Sequence, residues 1–236
     1  MRIQKKSDHT LKNLWKWTIS AQLHGVMALL SLPAGWWLLV KVAPQGNGWA
    51  FLITVYALAS TFVFSASALY HFISDGFECH KEIERWLNRM DHVAIVFMIA
   101  ASYSAVAIRV LEMREVFVLL FFVCTLSTLI IVHIFLKSRL PYFLGGRAIS
   151  TFLYLALGCI GLWILPSLYK ALTTVQLTLL LTGGGIYVLG AIIYYLEKYR
   201  KTPRHFDLHE VWHVAVMLAY STHYFMMLSI YKDSTS

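Results

Sequence analysis

Residues 209–230 read HEVWHVAVMLAYSTHYFMMLSI, two histidines four residues apart leading straight into an apolar run from Val214 to Ile230. A run of that length and composition crosses a bilayer core of about 30 Å as a helix. On such a helix His209 and His213 lie one turn apart on a single face, so both imidazoles can reach one metal ion. Ionisable groups at membrane depth are rare and usually functional. The fold therefore reads as a membrane bundle, and the two histidines call for partners elsewhere in the chain.

The composition agrees. Of the 236 residues 58% are hydrophobic and only 14% are charged, against roughly 25% charge in soluble domains. Apolar stretches long enough to cross occur seven times, at about Ile19–Val40, Trp49–Phe72, His92–Ile108, Val116–Leu136, Ile149–Leu165, Val175–Leu196 and Val211–Ile230. The expected fold class is all-α, a seven-helix transmembrane bundle forming one domain over residues 1–236, with 1–18 as a basic segment ahead of the first span. Trp15 and Trp17 suit an interfacial belt. The first apolar stretch is too long for a signal-peptide core and is kept as a span.

The net charge of +8 does not point to nucleic acid, because its distribution follows the membrane. Fifteen Lys and Arg fall before span one and in the connections between spans two and three, four and five, and six and seven; Lys41, Arg109, Arg114, Lys170 and Lys232 fall on the other side. The positive-inside rule then puts the N-terminus in the cytoplasm and the C-terminus outside, as expected of a multi-pass protein of the plasma (inner) membrane. Cys79, Cys124 and Cys159 show no CxxC spacing, and no disulfide is expected.

Four polar residues share one depth. His71 ends span two going inward, Asp91 opens span three, and His209 and His213 open span seven. Asp91 reads either as a helix N-cap or as a group facing the bundle. Ser67 lies one turn deeper than His71 on the same face. Three neutral imidazoles fill three positions of a tetrahedral zinc and leave the fourth for water, whose pKa falls to about 7. Asp91 balances the remaining charge, and Ser67 can hydrogen-bond the water or a developing oxyanion. His24, in span one, serves either an interhelical hydrogen bond or the support of the metal site. The charged stretch from Ser74 to Arg89 reads as a solvated connection. Asp207 suits the cap of the last helix, Pro33 a kink, and Gly183–Gly185 close packing or a local break.

HEVWH also matches the HExxH pattern of zinc metalloproteases, with Glu210 as base, but no carboxylate follows until Asp233 at the far end of the span. A better match lies in the whole set. Seven spans, Ser67-x3-His71, Asp91 at the start of span three and His209-x3-His213 together resemble the hemolysin III family, the bacterial branch of the progestin and adipoQ receptor superfamily. The resemblance covers essentially the whole chain. It implies an intramembrane zinc site with His71, His209 and His213 as ligands and Asp91 and Ser67 beside the metal water. Related superfamilies hydrolyse lipid amides such as ceramide, so the resemblance implies membrane lipids as partners and a lipid amide or ester as substrate. The alternatives are a membrane-perturbing, pore-forming protein, or a regulator of membrane state with structural zinc. No Lys, Arg, Asp or Glu lies at the centre of any span, which a conducting pore would be expected to need.

Overall fold

The computed structural model describes residues 4–5, 19–197 and 207–232. The Trp15 and Trp17 belt and the basic connection before Asp207 lie outside the described residues. Seven helices are long and apolar enough to cross a membrane: α1 (Ile19–Val42), α2 (Asn47–Gly76), α3 (Lys81–Val110), α4 (Met113–Leu136), α5 (Arg147–Ala171), α6 (Thr174–Glu197) and α7 (Leu208–Lys232). Helices are the expected answer in lipid, where each backbone N–H and C=O must be satisfied within its own segment. Each helix packs on the next in sequence, and α7 packs back on α1, so the seven form a closed ring.

Small residues set the closest approaches. Any side chain at Gly35 would run into Ala57 of α2, and one at Gly183 or Gly190 would strike His223 or Trp212 of α7. The close-packing alternative at Gly183–Gly185 is thus the one realised, and α6 is unbroken there. Helix α1 likewise runs unbroken through Pro33. The turn from α1 to α2 depends on Gly46, whose φ of 134° is a conformation that other residues rarely adopt.

The interruption falls instead in α5, where Ile160–Ile164 tightens into a 3-10 turn ahead of Pro166. A proline cannot donate a helical hydrogen bond and crowds the preceding turn. Tyr103 of α3 fills the gap: its hydroxyl donates to the Gly158 carbonyl at 2.6 Å and accepts from the Gly161 N–H at 2.9 Å. The break thereby becomes a contact between α3 and α5.

Leu38, Ile53, Phe64 and Met227 fill the ring interior and are fully buried, whereas Leu29, Trp36, Phe117, Phe121 and Phe152 face outward with about two-thirds or more of their surface open. On a soluble protein such a coat would drive association; here it is the lipid-facing surface. At the end remote from His71, Arg109 donates to Gln45 Oε1 at 3.1 Å, its guanidinium lies over Trp49 and Tyr231, and Gln45 donates to the Tyr231 carbonyl. One cation therefore ties α3, the α1–α2 turn and α7 together.

The structure corrects the reading of residues 74–89 as a solvated connection. Helix α2 continues to Gly76 and α3 already begins at Lys81, leaving four residues between them. Two of these, β2 (Phe77–Glu78), pair antiparallel with β1 (Gln4–Lys5) and bring the start of the chain to the His71 end of the ring. Cys79 follows directly and is a free thiol. With Cys124 and Cys159 replaced by Ala, an impermeant thiol reagent should label Cys79 only from the cytoplasmic side of right-side-out and inverted vesicles. Labelling of intact cells from outside would reverse the topology derived from the charges.

Candidate metal centre

His71 stands near the C-terminal end of α2, and His209 and His213 stand in the first two turns of α7. The ring closure brings these helix ends together. His209 Nε2 lies 3.3 Å from His71 Nε2 and 3.1 Å from His213 Nε2. One ligand atom from each of the three falls within 4.8 Å of the others, so the trio can hold a metal ion. His71 and His213 are buried, and His209 is partly open to the surface.

The other ring nitrogen of each histidine is also engaged. His71 Nδ1 lies 3.2 Å from Asp75 Oδ2, and the Ser74 hydroxyl holds the second carboxylate oxygen at 2.9 Å. His209 Nδ1 lies 3.5 Å from Glu197 Oε2, which accepts from Arg147 of α5 at 2.9 Å. His213 Nδ1 lies 2.9 Å from His24 Nε2, and His24 sets its edge against Phe64. A carboxylate on Nδ1 fixes the proton there and turns the Nε2 lone pair outward. In His71 and His209 those lone pairs then face each other across 3.3 Å. Two apposed lone pairs repel, and a shared cation between them removes the repulsion.

Asp75, Glu197 and His24 are the residues that sequence reading missed or left open. Asp75 had been read as part of a solvated charge run; it instead sits one helical turn after His71, at the i, i+4 spacing that puts both on one face. Glu197 is the last residue of α6 and carries no local signal. For His24 the contact with His213 is an interhelical hydrogen bond that ties α1 to α7 directly behind the trio.

Asp91 is not an N-cap. Helix α3 starts ten residues earlier, capped at His80, and Asp91 faces the bundle. Ser67, His71, His209 and Lys137 all lie close enough to act on its carboxyl. Ser67 is buried one turn before His71 on α2. Glu210 turns away from the metal: its carboxylate accepts the Asp207 N–H at 2.8 Å, while Asp207 accepts the Leu208 N–H at 2.8 Å. The Glu210 contact is the return half of a capping box, and the Asp207 side chain caps the first N–H of the helix. The two contacts realise the cap at Asp207 and employ Glu210 in holding the helix start, against a metalloprotease role. His223 bonds the Leu180 carbonyl of α6, away from the trio.

Fold and site together define a seven-span membrane protein whose histidine trio, reached from both ends of the chain, can hold a metal at one end of the ring. A family described as Haemolysin-III related matches residues 13–224, and the chain belongs to it. It is 30% identical over 211 residues to the Hemolysin-3 homolog of Bacillus subtilis (strain 168), covering 89% of this chain and 91% of that protein. Hemolysin-3 of Bacillus cereus is also 30% identical over 211 residues, with 89% of each chain covered.

Metal content per chain reads the site directly. His71→Ala, His209→Ala and His213→Ala should each remove most bound metal, because two imidazoles hold it poorly. Asp75→Asn and Glu197→Gln should retain it with about 10- to 100-fold weaker affinity, measured by chelator competition. His133→Ala and His223→Ala should match wild type. Unchanged content across all five site variants would dissolve the assignment.

Proposed function

We propose that the chain is a zinc-dependent hydrolase acting on the amide or ester bond of a membrane lipid. The observation that carries this reading is the juxtaposition of a three-imidazole trio with a separate carboxylate, Asp91, that belongs to none of the histidine pairs. Nitrogens bound to a tetrahedral zinc at about 2.0–2.1 Å sit about 3.3–3.4 Å apart, and the Nε2 separations of 3.1 and 3.3 Å come close to that spacing. His71, His209 and His213 would hold the ion. When bound with one position open, zinc acidifies water and polarises a carbonyl.

The protein's own groups supply the rest. Asp91, one helix away and steadied by Ser67, accepts the proton of the attacking water on its carboxylate. The same carboxyl then returns that proton to the leaving amine nitrogen or alkoxide oxygen, so water adds across the broken bond and Asp91 is regenerated. Asp75, Glu197 and His24 keep the imidazoles aimed and take no part in the proton transfer.

The names of the two Bacillus relatives favour a second reading, cytolysis. For a pore made by one chain the ring would need a polar lumen, but its interior is filled by Leu38, Ile53, Phe64 and Met227. Turnover of a panel of acyl-amide and acyl-ester lipids in nanodiscs separates the readings. Asp91→Asn keeps the shape and removes the proton acceptor, so zinc should stay bound while hydrolysis falls about 10²-fold or more, the scale of lost general-base help. Ser67→Ala should give a smaller loss. If zinc-loaded wild type turns over no member of the panel while releasing dye from liposomes, the cytolytic reading replaces this one.

A further inference from the structure

Beside the metal centre, at the same end of the ring, α2, α3 and the end of α4 enclose a cleft of about 540 Å³. Its inner wall is made by Tyr70, Asn88, Arg89 and Lys137, all partly buried, and its rim carries Lys81 and Arg85. Glu84 is the one carboxylate in the lining, so four cations face one anion. Among the described residues none of the four cations is in an ion pair. Lys137 donates to Asn88 Oδ1 at 3.4 Å, Tyr70 lies close to Asn88, and the Arg89 guanidinium lies over the Phe135 ring.

Surface lysines and arginines normally point apart into water. Here two are held half-buried side by side, and burial together with neighbouring Arg89 pushes the Lys137 ammonium below the ordinary lysine range, with Asp91 pulling the other way. An anion between them relieves that repulsion. Planar guanidinium, ammonium and hydroxyl donors on one wall suit the tetrahedral oxygens of phosphate. The surroundings name the source. Trp86, Phe135 and Leu136 are exposed apolar groups at the end of the spans, where lipid headgroups meet acyl chains.

We propose that this cleft binds a phosphate group, presented by the headgroup of an anionic membrane lipid. Tyr70 immediately precedes His71, their rings 4.9 Å apart, and Lys137 acts on Asp91. A headgroup in the cleft therefore leaves the adjoining part of the lipid beside the metal centre. As a substrate subsite the cleft rests on the hydrolase reading; as a binding site it stands without it.

The test is titration of the full chain in detergent with phosphatidylglycerol, phosphatidylcholine or inorganic phosphate, with bound lipid counted by native mass spectrometry. Wild type should prefer phosphatidylglycerol. The double substitution Arg89→Gln and Lys137→Gln should weaken that binding about tenfold or more, as loss of charge-assisted bonds implies. Arg114→Gln, at the other end of α4, should leave it within about twofold, a small fraction of that loss. Metal content reports that the variants remain folded, and the rim pair Lys81→Gln and Arg85→Gln provides a milder second test in the same direction. Equal affinity of wild type and both double variants, or equal binding of phosphatidylcholine, overturns the proposal. Displacement of the lipid by an equal concentration of inorganic phosphate assigns the cleft to free phosphate and overturns the lipid source. Binding is read without turnover, so a chain that passes these tests and hydrolyses nothing refutes the hydrolase reading alone.

Discussion

Three imidazole nitrogens aimed at one point inside a membrane protein are held there against their own repulsion. Each is fixed from behind: His71 by Asp75, His209 by Glu197, and His213 by His24. Those partners come from α1, α2 and α6, and Arg147 adds α5 through Glu197. Five of the seven helices thus converge on the aim of three rings. A cation at the centre turns this arrangement from a cost into a bond between α2 and α7, elements separated by more than half the chain. Metal bound to a folded site and absent from the unfolded chain is folding free energy as well as chemistry.

The two ends of the ring are consequently unlike. At one end Arg109 supplies its own permanent charge, shared among the Gln45 amide and the faces of Trp49 and Tyr231, and the helices are tied without any external ion. At the other end the protein's own charges are arranged behind the three imidazoles. Arg147 neutralises Glu197, and Ser74 holds Asp75. The Arg109 end is suited to permanence, and the histidine trio at the other end can hold an ion.

Much of this was legible in the sequence because lipid is a demanding solvent. It forces each crossing into a helix and each charge to an end, so seven spans and their relative direction follow from hydropathy and Lys/Arg placement alone. Equal depth then brought His71, Asp91, His209 and His213 together on paper. What hydropathy does not mark is where a helix stops. The apolar stretch ends near Phe72, but α2 runs on to Gly76 and α3 starts at Lys81, so charged residues that looked like loop are helical and structured. Asp75 was lost to that error, although its four-residue spacing from His71 was in plain view. Glu197 and Arg147 are fifty residues apart and meet only through packing of α5 on α6, which no local pattern encodes. The break in α5 went unread in the sequence, and it is held by the Tyr103 hydroxyl arriving from α3.

The same helix extension explains how a membrane site comes to be reached by charge from outside the lipid. Lys137 stands just past the last residue of α4, close enough to act on Asp91, and it shares a wall with Arg89 and Asn88 from the extended first turns of α3. Had α3 begun at the hydropathy boundary near His92, Asp91 would cap a helix in the interface and its charge would be spent on backbone N–H groups. Because α3 begins at Lys81, those groups are satisfied within the helix and Asp91 remains a side chain aimed inward, with Ser67 on one side and cations on the other. The position of one helix start thus decides whether the carboxylate caps the backbone or faces the bundle.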